Sequence, residues 1–214
     1  MAQVGRRPRC SRRGIEMLIG LVGCKGVGKD TVGQYLIDNY EFTKLAFADK
    51  LKEAIANLFD IIPEHVDRFK AEYTDGIPYC EVTISQTDRP VEWRYTWREF
   101  LQRFGTEMGR NTFGQNFWIQ QWENSYTALS VMEPDAFKKV VVTDVRFENE
   151  AHAILTAGGW LVEITRKGHE PDGHASEEGI DEKLVDVLII NNGTLEDLYQ
   201  DVDKLMEGLA NARK

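Results

Sequence analysis

A short glycine-rich segment near the N-terminus limits the folds open to this chain more than any other feature. Residues 23–29 have the pattern Gly-x-x-x-x-Gly-Lys, and they lie between an apolar run at 17–22 and a helical pattern that extends to about Asn39. Glycines let the backbone curl around an anion, N–H groups point inward, and the following helix adds partial positive charge. The segment is therefore predicted to be a phosphate-binding loop. A glycine-rich turn from strand to helix is the alternative interpretation.

The residues at the end of this pattern determine how the loop would treat a metal ion. Lys29 would reach the β and γ phosphates of a nucleotide. Asp30 follows it where the general motif carries a Ser or Thr hydroxyl for magnesium. A carboxylate is a hard oxygen ligand for Mg²⁺, directly or through water, but its charge can also interact with the helix N-terminus. Both interpretations of Asp30 stay open.

Short apolar runs alternate with helical patterns along much of the chain. Four runs have the composition of buried strands in a parallel sheet. They comprise residues 17–22, 140–143, 161–165 and 187–190, and a weaker fifth candidate lies at 43–47. Apolar residues recur every three or four positions over 51–59 and 195–209, which is typical of amphipathic helices. The alternation predicts an α/β fold with helices on both faces of a parallel sheet.

Residues 61–130 interrupt this alternation. The stretch holds every tryptophan except Trp160, many charged residues and a helix-like segment over 97–108. We therefore predict a core of residues 15–60 and 131–214, with an inserted helical subdomain at 61–130.

Composition limits the kinds of molecule that this chain is expected to bind. The formal net charge of −9 disfavours non-specific binding to nucleic acid, which needs a surplus of Lys and Arg. Residues 1–14 nevertheless carry five arginines and no acid, and they are predicted to be a disordered basic tail. The longest clean apolar run has six residues, against about 20 for a bilayer span, and the three cysteines lack metal-ligand spacing. We predict a cytoplasmic protein with small substrates, no stable nucleic-acid binding and no membrane contact.

A second candidate group follows the run at 140–143. Ligands bind at the carboxyl edge of the strands in open α/β sheets. Asp144 stands at this edge and can hold magnesium through water, while Arg146 can stabilise charge on a phosphoryl group in transfer. Alternatively, Asp144 caps the following helix. We predict Lys29, Asp144 and Arg146 as catalytic residues, and Asp30 with Asp144 as metal ligands.

Six blocks of sequence share their order and spacing with one known family. They are GCKGVGKDT, FADKLKEAI, WREFLQRFGTEMGR, TDVRFENEA, GHASEEGI and IINNGTLEDL. Over about residues 17–206 they resemble the deoxynucleoside monophosphate kinases of bacteriophages, a branch of the P-loop nucleoside monophosphate kinase fold. That family carries GKDT, so Asp30 is expected in its loop. The resemblance implies a five-stranded parallel sheet, ATP on the phosphate loop, a monophosphate under a helical insert, and a short lid at 166–183.

The resemblance also implies which residues contact each substrate. For ATP they are Gly23, Lys25, Gly26, Val27, Gly28, Lys29, Asp30, Thr31, Arg166, Asn192 and Gly193. For the monophosphate they are Asp49, Lys52, Arg98, Gln102, Thr106, Arg110 and Trp118. Arg98 and Gln102 are four residues apart and so share a helical face, and Arg98 with Arg110 can clamp a phosphate.

The helix that begins near Trp97 has other interpretations. It can be a surface helix whose arginines pair with Glu99 and Glu107. Its aromatic residues, with Trp118, can form the core of the insert in place of a base-binding surface.

The polar residues near the C-terminal strand also have an alternative. Asn192 and Gly193 can form a strand-to-helix turn with Thr194 as N-cap, without contact to adenine. In the lid, Arg166 and His174 are placed to contact ATP phosphates, and His174 can equally be an exposed loop residue.

The resemblance predicts transfer of the γ-phosphoryl group of ATP to a deoxynucleoside 5′-monophosphate, with Mg²⁺ as cofactor and no covalent intermediate. For a phage-encoded enzyme the compartment would be the host cytoplasm. Rival functions are a kinase for another small phosphorylated acceptor, of the dephospho-coenzyme A or phosphomevalonate type, and a nucleotide-binding ATPase or switch module. The sequence leaves open the accepted bases, the choice between deoxyribose and ribose, and whether two copies form a homodimer.

Overall fold

The computed structural model describes residues 17–72, 80–84, 91–95, 97–169 and 179–212. The predicted tail at 1–14, His174 and most of the predicted lid lie outside these residues. The chain divides into two compact units: the described parts of Met1–Phe47 and Trp122–Lys214 form the first, and those of Ala48–Gln121 form the second. Within the described ranges, no helix has the length and apolar character needed to cross a membrane.

Strands and helices follow one another along the described chain. In order they are β1 (Met17–Val22), α1 (Lys29–Tyr40), β2 (Thr43–Lys44), α2 (Asp49–Leu58), α3 (Pro63–Glu72), β3 (Cys80–Ile84), β4 (Val91–Tyr95), α4 (Trp97–Arg103), a π-helical segment (Phe104–Thr112), α5 (Phe117–Met132), β5 (Lys139–Val142), α6 (Glu148–Thr156), β6 (Trp160–Thr165), β7 (Val187–Ile190) and α7 (Leu195–Ala212). Short 3₁₀ turns precede β5 and β7, at Ala136–Lys138 and Glu182–Leu184.

The first unit is built on a parallel sheet with the strand order β2-β5-β1-β6-β7. Side chains of β1 alternate between its two faces. Ile19 and Leu21 pack in one cluster with residues of α1 and α7. Gly20 faces the other side, where a Cβ would lie 3.3 Å from Cγ1 of Ile154 in α6. The predicted α/β class, a five-stranded parallel sheet with helices on both faces, is confirmed.

The strand predicted at 43–47 is shorter in the structure, which corrects that expectation. β2 covers only Thr43 and Lys44. Beyond it, the carbonyl oxygen of Leu45 accepts from Nε1 of Trp122 over 2.9 Å, and the N–H of Phe47 donates to Oδ1 of Asp144 over 2.9 Å. Side chains thus take backbone groups that would otherwise extend the ladder.

The second unit has its own apolar core. Helices α2, α3 and α4 contribute a cluster of buried side chains, and the strands β3 and β4 form an antiparallel pair. The cluster consists of Ile55, Ala56, Val66, Phe69, Trp97 and Leu101. Trp97 is 1% exposed, and its ring stacks on Phe69 at 5.7 Å between centroids.

The limits of the second unit differ from those predicted for the insert. The unit begins at Ala48, before the predicted residue 61, because α2 packs against α3 and contributes Ile55 and Ala56 to the core. It ends at Gln121, within α5. It also contains the β3–β4 pair, so the insert is not entirely helical. Its predicted role in binding substrate stays a prediction.

Candidate active site

The glycine-rich loop leaves the carboxyl end of β1 and leads directly into α1. Gly23 has φ +136°, which L side chains rarely adopt, and a Cβ there would collide with the carbonyl oxygen of Ile164 in β6. Val27 anchors the loop in the core of the first unit, with 1% of its surface exposed. Lys25 and Gly26 at the tip are exposed. The loop therefore has the backbone bend and the accessible tip that an anion-binding loop requires.

The lysine of the motif folds back over this loop. Lys29 is the first residue of α1, and its Nζ donates to the carbonyl oxygens of Gly23 and Cys24 over 2.6 and 2.7 Å. An ammonium group is a donor with three protons and no acceptor. These two bonds keep the positive charge at the loop, where phosphate oxygens would meet it.

Asp30 and Thr31 lie in the first turn of α1, after Gly28 as the N-cap. The Asp30 side chain is exposed and that of Thr31 is half-buried. A carboxylate in this turn interacts favourably with the helix dipole, and it is also a suitable oxygen ligand. Both interpretations of Asp30 are compatible with its position, and metal ligation stays a prediction.

The predicted second group follows β5. Asp144 accepts the N–H of Phe47 with Oδ1. It is not the cap of α6, because the N-cap of that helix is Phe147. Instead Glu150, only 5% exposed, accepts the N–H groups of Phe147 and Arg146 with Oε2 over 3.1 and 2.9 Å. Glu150 thereby fixes the backbone from which the Arg146 side chain extends.

Two carboxylates of the first unit are the predicted magnesium ligands. Mg²⁺ is usually held by one or two carboxylates together with phosphates and water. Asp30 and Asp144 are carboxylates of this kind, and their role as metal ligands stays a prediction. Over the described ranges, no cluster of three or more His, Cys, Asp or Glu side chains could hold a metal ion.

A cavity of about 220 Å³ lies in the first unit beside the loop. Its lining combines three loop residues with charged and polar side chains from β6, from the segments after β5 and β6, and from the turn before β7. These lining residues include Gly23, Cys24, Arg146, Glu163, Thr165, His169 and Glu182. Burial raises the pKa of the Glu163 carboxyl, and the neighbouring charge of Glu182 raises it further. Arg166 is exposed directly after β6, and its predicted contact with ATP stays a prediction.

The turn after β7 caps helix α7, as the alternative interpretation of Asn192 and Gly193 predicted. Thr194 donates to Oδ2 of Asp197 from both its N–H and its hydroxyl, and Asp197 returns its own N–H to the Thr194 hydroxyl over 3.2 Å. The hydroxyl bond, followed by the amide bond, lowers the pKa of the Asp197 carboxyl. Thr194 is thus the N-cap of α7. Oδ1 of Asn192 accepts the N–H of Lys167 over 2.7 Å, and the contact of Asn192 and Gly193 with ATP stays a prediction.

The second unit holds the residues predicted for the monophosphate. Arg98 and Gln102 lie on α4, and both are half-buried. Arg110 is 6% exposed, and its Nε donates to Oε1 of Gln115 over 3.2 Å. As the alternative of a salt-bridged surface helix predicts, Glu107 pairs with Arg103 at 3.4 Å, and the contact of Arg98 with the monophosphate stays a prediction.

The continuous helix predicted over 97–108 changes type at Phe104. α4 ends at Arg103, and a π-helical segment carries Thr106 and Arg110. A π-helix spaces side chains differently from an α-helix, so these two residues do not continue the four-residue series of Arg98 and Gln102. The predicted phosphate clamp stays a prediction with this altered geometry.

Trp118 packs inside the second unit. Its Nε1 donates to the carbonyl oxygen of Gly105 over 2.8 Å, and it is 9% exposed. A Cβ on Gly109 would lie 2.6 Å from Cε2 of the indole. Trp97 also belongs to the core, as the structural alternative predicted. A base contact for Trp118 stays a prediction.

Asp49 and Lys52 occupy the first turn of α2. Nζ of Lys52 pairs with Oδ2 of Asp67 in α3 at 2.7 Å. Lys52 thus joins α2 to α3 in this structure, and its predicted contact with the monophosphate stays a prediction.

Comparison with known proteins adds the family. A family model described as deoxynucleotide monophosphate kinase matches residues 17–88 and 81–202. The chain belongs to this family. The resemblance read from the six sequence blocks is therefore confirmed, and so is the predicted class of enzyme, a kinase of deoxynucleoside monophosphates.

Relatives of this kinase family member come from large viruses and phages. A protein of Acanthamoeba polyphaga mimivirus is 33% identical over 195 residues, which are 87% of this chain and 94% of the relative. The deoxynucleotide monophosphate kinase of Escherichia phage RB69 is 26% identical over 88% of this chain and 99% of its own. A solved dephospho-CoA kinase from Campylobacter jejuni is 14% identical with a TM-score of 0.48, covering 92% of this chain and 98% of its own.

Sequence reasoning missed two residues that the structure brings to this kinase's loop. It also assigned no role to Glu150, which is buried and accepts the backbone N–H of Arg146. His169 lies at the loop tip, where a Cβ on Gly26 would approach its ring to 2.9 Å. Asn191 donates to the loop itself. The sequence signal that could have identified Asn191 is its position directly after an apolar strand, next to Asn192.

Proposed function

We propose that this chain transfers the γ-phosphoryl group of ATP to a deoxynucleoside 5′-monophosphate, giving a deoxynucleoside diphosphate and ADP. The observation that carries the proposal is the position of Lys29, whose ammonium group binds the carbonyl oxygens of Gly23 and Cys24 in the bent loop. The loop borders the cavity that Arg146 lines. Membership of the deoxynucleotide monophosphate kinase family supports the choice of acceptor.

The donor half of the proposed reaction lies in the first unit. Phosphates of ATP would bind the N–H groups of residues 23–31. Their oxygens would also replace the carbonyl oxygens of Gly23 and Cys24 as hydrogen-bond partners of Lys29. Arg146 would neutralise charge on the transferring group. The acceptor phosphate is already an anion, so no general base is needed, and catalysis consists of alignment and charge neutralisation.

Magnesium is the proposed cofactor, with Asp30 and Asp144 as its protein ligands, directly or through water. When bound, the ion would neutralise charge on the phosphates. The carboxylate of Asp144 is oriented by the N–H of Phe47, so this chain fixes one of the two donors without the ion.

The acceptor half is proposed for the second unit. Arg98 and Arg110 would bind the monophosphate, supported by Gln102, Thr106, Asp49 and Lys52, with Trp118 against the base. Guanidinium groups suit this role because they bind phosphate with two parallel hydrogen bonds. We further propose the host cytoplasm as the compartment, since the named relatives include phage enzymes.

Steady-state ADP release across a panel of acceptors tests this function. The panel contains the four deoxynucleoside monophosphates, the ribonucleotides, dephospho-coenzyme A, phosphomevalonate and no acceptor. Rapid ADP release with deoxynucleotides alone is expected. A preference for dephospho-coenzyme A or phosphomevalonate would identify another small-molecule kinase, and equal release without acceptor would identify an ATPase or switch. Either result would overturn the proposal.

A further inference from the structure

A buried asparagine connects the end of β7 to the phosphate loop. Asn191 follows β7 directly and is 8% exposed. Its Nδ2 donates to the carbonyl oxygen of Val27 over 2.8 Å, and its backbone N–H donates to Thr165 at the end of β6 over 2.8 Å. Because the Val27 oxygen can only accept, the amide nitrogen must be the atom that faces it. One residue thus joins the loop to the ends of two strands.

The bond to Val27 fixes the direction of an entire peptide group. The carbonyl of Val27 and the N–H of Gly28 belong to one planar trans unit, so they point in opposite directions. The Val27 side chain is held in the apolar core, and its carbonyl is held by Asn191. The N–H of Gly28 is therefore directed away from Asn191. Rotation of this peptide would require the loss of the buried hydrogen bond.

The space on the Asn191 side of the loop is also filled. A Cβ on Gly28 would lie 2.7 Å from Nδ2 of Asn191. The glycine lets the loop approach the amide closely, and the amide in turn prevents the loop from moving further in that direction. Steric contact and hydrogen bonding thus hold the same peptide.

We propose that Asn191 is a positioning residue for ATP, a role that rests on the function proposed above. By holding the Val27 carbonyl, its side chain turns the Gly28 N–H toward the donor phosphates. Without it, the peptide can rotate and present the carbonyl oxygen, which repels an anion. A loop already held in its binding geometry loses less conformational entropy on binding. The residue acts on ATP through the loop and has no role in the acceptor site.

Asn191→Leu and Asn191→Asp test this role. Leucine removes the donor, and aspartate keeps the shape but places an ionised oxygen opposite the Val27 carbonyl. The matched control is Asp186→Ala, at the opposite end of β7. Asp186 is also buried, 7% exposed, and Oδ2 accepts the N–H of Leu161 over 2.9 Å. Its loss removes one buried bond between a side chain and the backbone, at the end of β7 away from Asn191, and lowers stability.

Affinity for ATP, measured by calorimetry without acceptor, is the first readout. Asn191→Leu is expected to weaken ATP binding about tenfold, and Asn191→Asp further. In turnover the KM for ATP should rise, while the KM for the monophosphate stays within about twofold of the wild-type value. Asp186→Ala should lower the unfolding temperature and leave ATP affinity within about twofold.

The outcomes separate this proposal from the function on which it rests. A wild-type chain that does not bind ATP overturns the proposed function. A wild-type chain that binds ATP, with Asn191 variants of unchanged affinity or with equal losses in Asp186→Ala, overturns the role of Asn191 alone. If the variants do not fold, NMR exchange of the wild-type Asn191 side-chain amide decides. Slow exchange is expected, and exchange as fast as that of exposed Asn192 overturns the proposal.

Discussion

Glycine has a different structural role in the glycine-rich loop of the first unit and in the π-helical segment of the second. In the loop, Gly23 adopts a backbone conformation that L side chains rarely adopt. In the π-helical segment, Gly109 lets the Trp118 indole pack against the backbone, and Gly105 accepts the indole N–H. The first arrangement bends the backbone at the loop that is proposed to bind phosphate. The second lets the protein's own Trp118 side chain pack against the backbone.

This contrast predicts that the loop is most sensitive to loss of charge. Lys29→Ala should lower turnover about 10²- to 10³-fold or more, because a preorganised cation at the transferring phosphate is removed. ADP release with a deoxynucleotide acceptor measures the effect, and circular dichroism checks the fold. Lys204→Ala is the control, since Lys204 pairs with Asp201 on the surface of α7, and it should retain wild-type turnover. Near-normal turnover of Lys29→Ala would falsify the assigned role.

In the second unit the corresponding test removes a side chain that is proposed to bind the acceptor. Arg98→Ala should raise the KM for the monophosphate about 10- to 100-fold, the equivalent of a charge-assisted hydrogen-bond pair, and leave the KM for ATP within about twofold. Arg103→Ala is the matched control, because Arg103 lies on the same helix and makes an exposed pair with Glu107. Equal behaviour of the two variants would show that Arg98 is an ordinary surface residue.

The packing difference between the two regions is tested by adding one methyl group. Gly109→Ala places a carbon within 2.6 Å of the Trp118 ring, and overpacking of this kind costs about 1–3 kcal/mol. Gly208→Ala in α7 meets no atom within 4 Å, so the higher helix propensity of alanine should stabilise the chain by about 0.5–1 kcal/mol. Urea unfolding measures both. A stable Gly109→Ala would mean that the indole moves freely.

The two regions also differ in how much of their structure could be predicted from the sequence. The conformation of the glycine-rich loop was predictable because its strand, turn and helix are contiguous, and the predicted run at 17–22 coincides with β1. β7 likewise coincides with its apolar run at 187–190. Local composition is sufficient for these two strands because each is a short continuous run of apolar residues, although β7 lies at the edge of the sheet.

Contacts between distant residues account for what could not be predicted. β2 stops short because Leu45 bonds to Trp122, 77 residues later in the chain. Trp118 approaches Gly109 of the π-helical segment from the next helix, and its indole N–H donates to Gly105. Asn191 meets Val27 across 164 residues. No local periodicity encodes such pairings. The family resemblance pointed to the neighbouring Asn192 as an ATP contact but not to the bond between Asn191 and Val27.

The smallest expected effect concerns a carboxylate beside the loop. Glu163 on β6 lines the cavity, and burial, followed by the charge of Glu182, raises its pKa. A raised pKa in the folded state means that the stabilising contribution is complete at acidic pH and is lost as pH rises through the folded-state value. Glu163→Gln should therefore raise the unfolding temperature by about 1–2 °C near pH 8 and leave it unchanged near pH 4.

Glu182→Gln separates the two causes of this pKa shift. Because burial is the larger cause, this variant should give a smaller gain near pH 8 than Glu163→Gln, in the same direction. A larger gain from Glu182→Gln would mean that repulsion between the two carboxylates dominates. That result would also sharpen the contrast with the second unit, where the Lys52 ammonium is paired with Asp67. The cavity proposed to receive ATP would then carry an electrostatic penalty until Arg146 or another cation neutralises it.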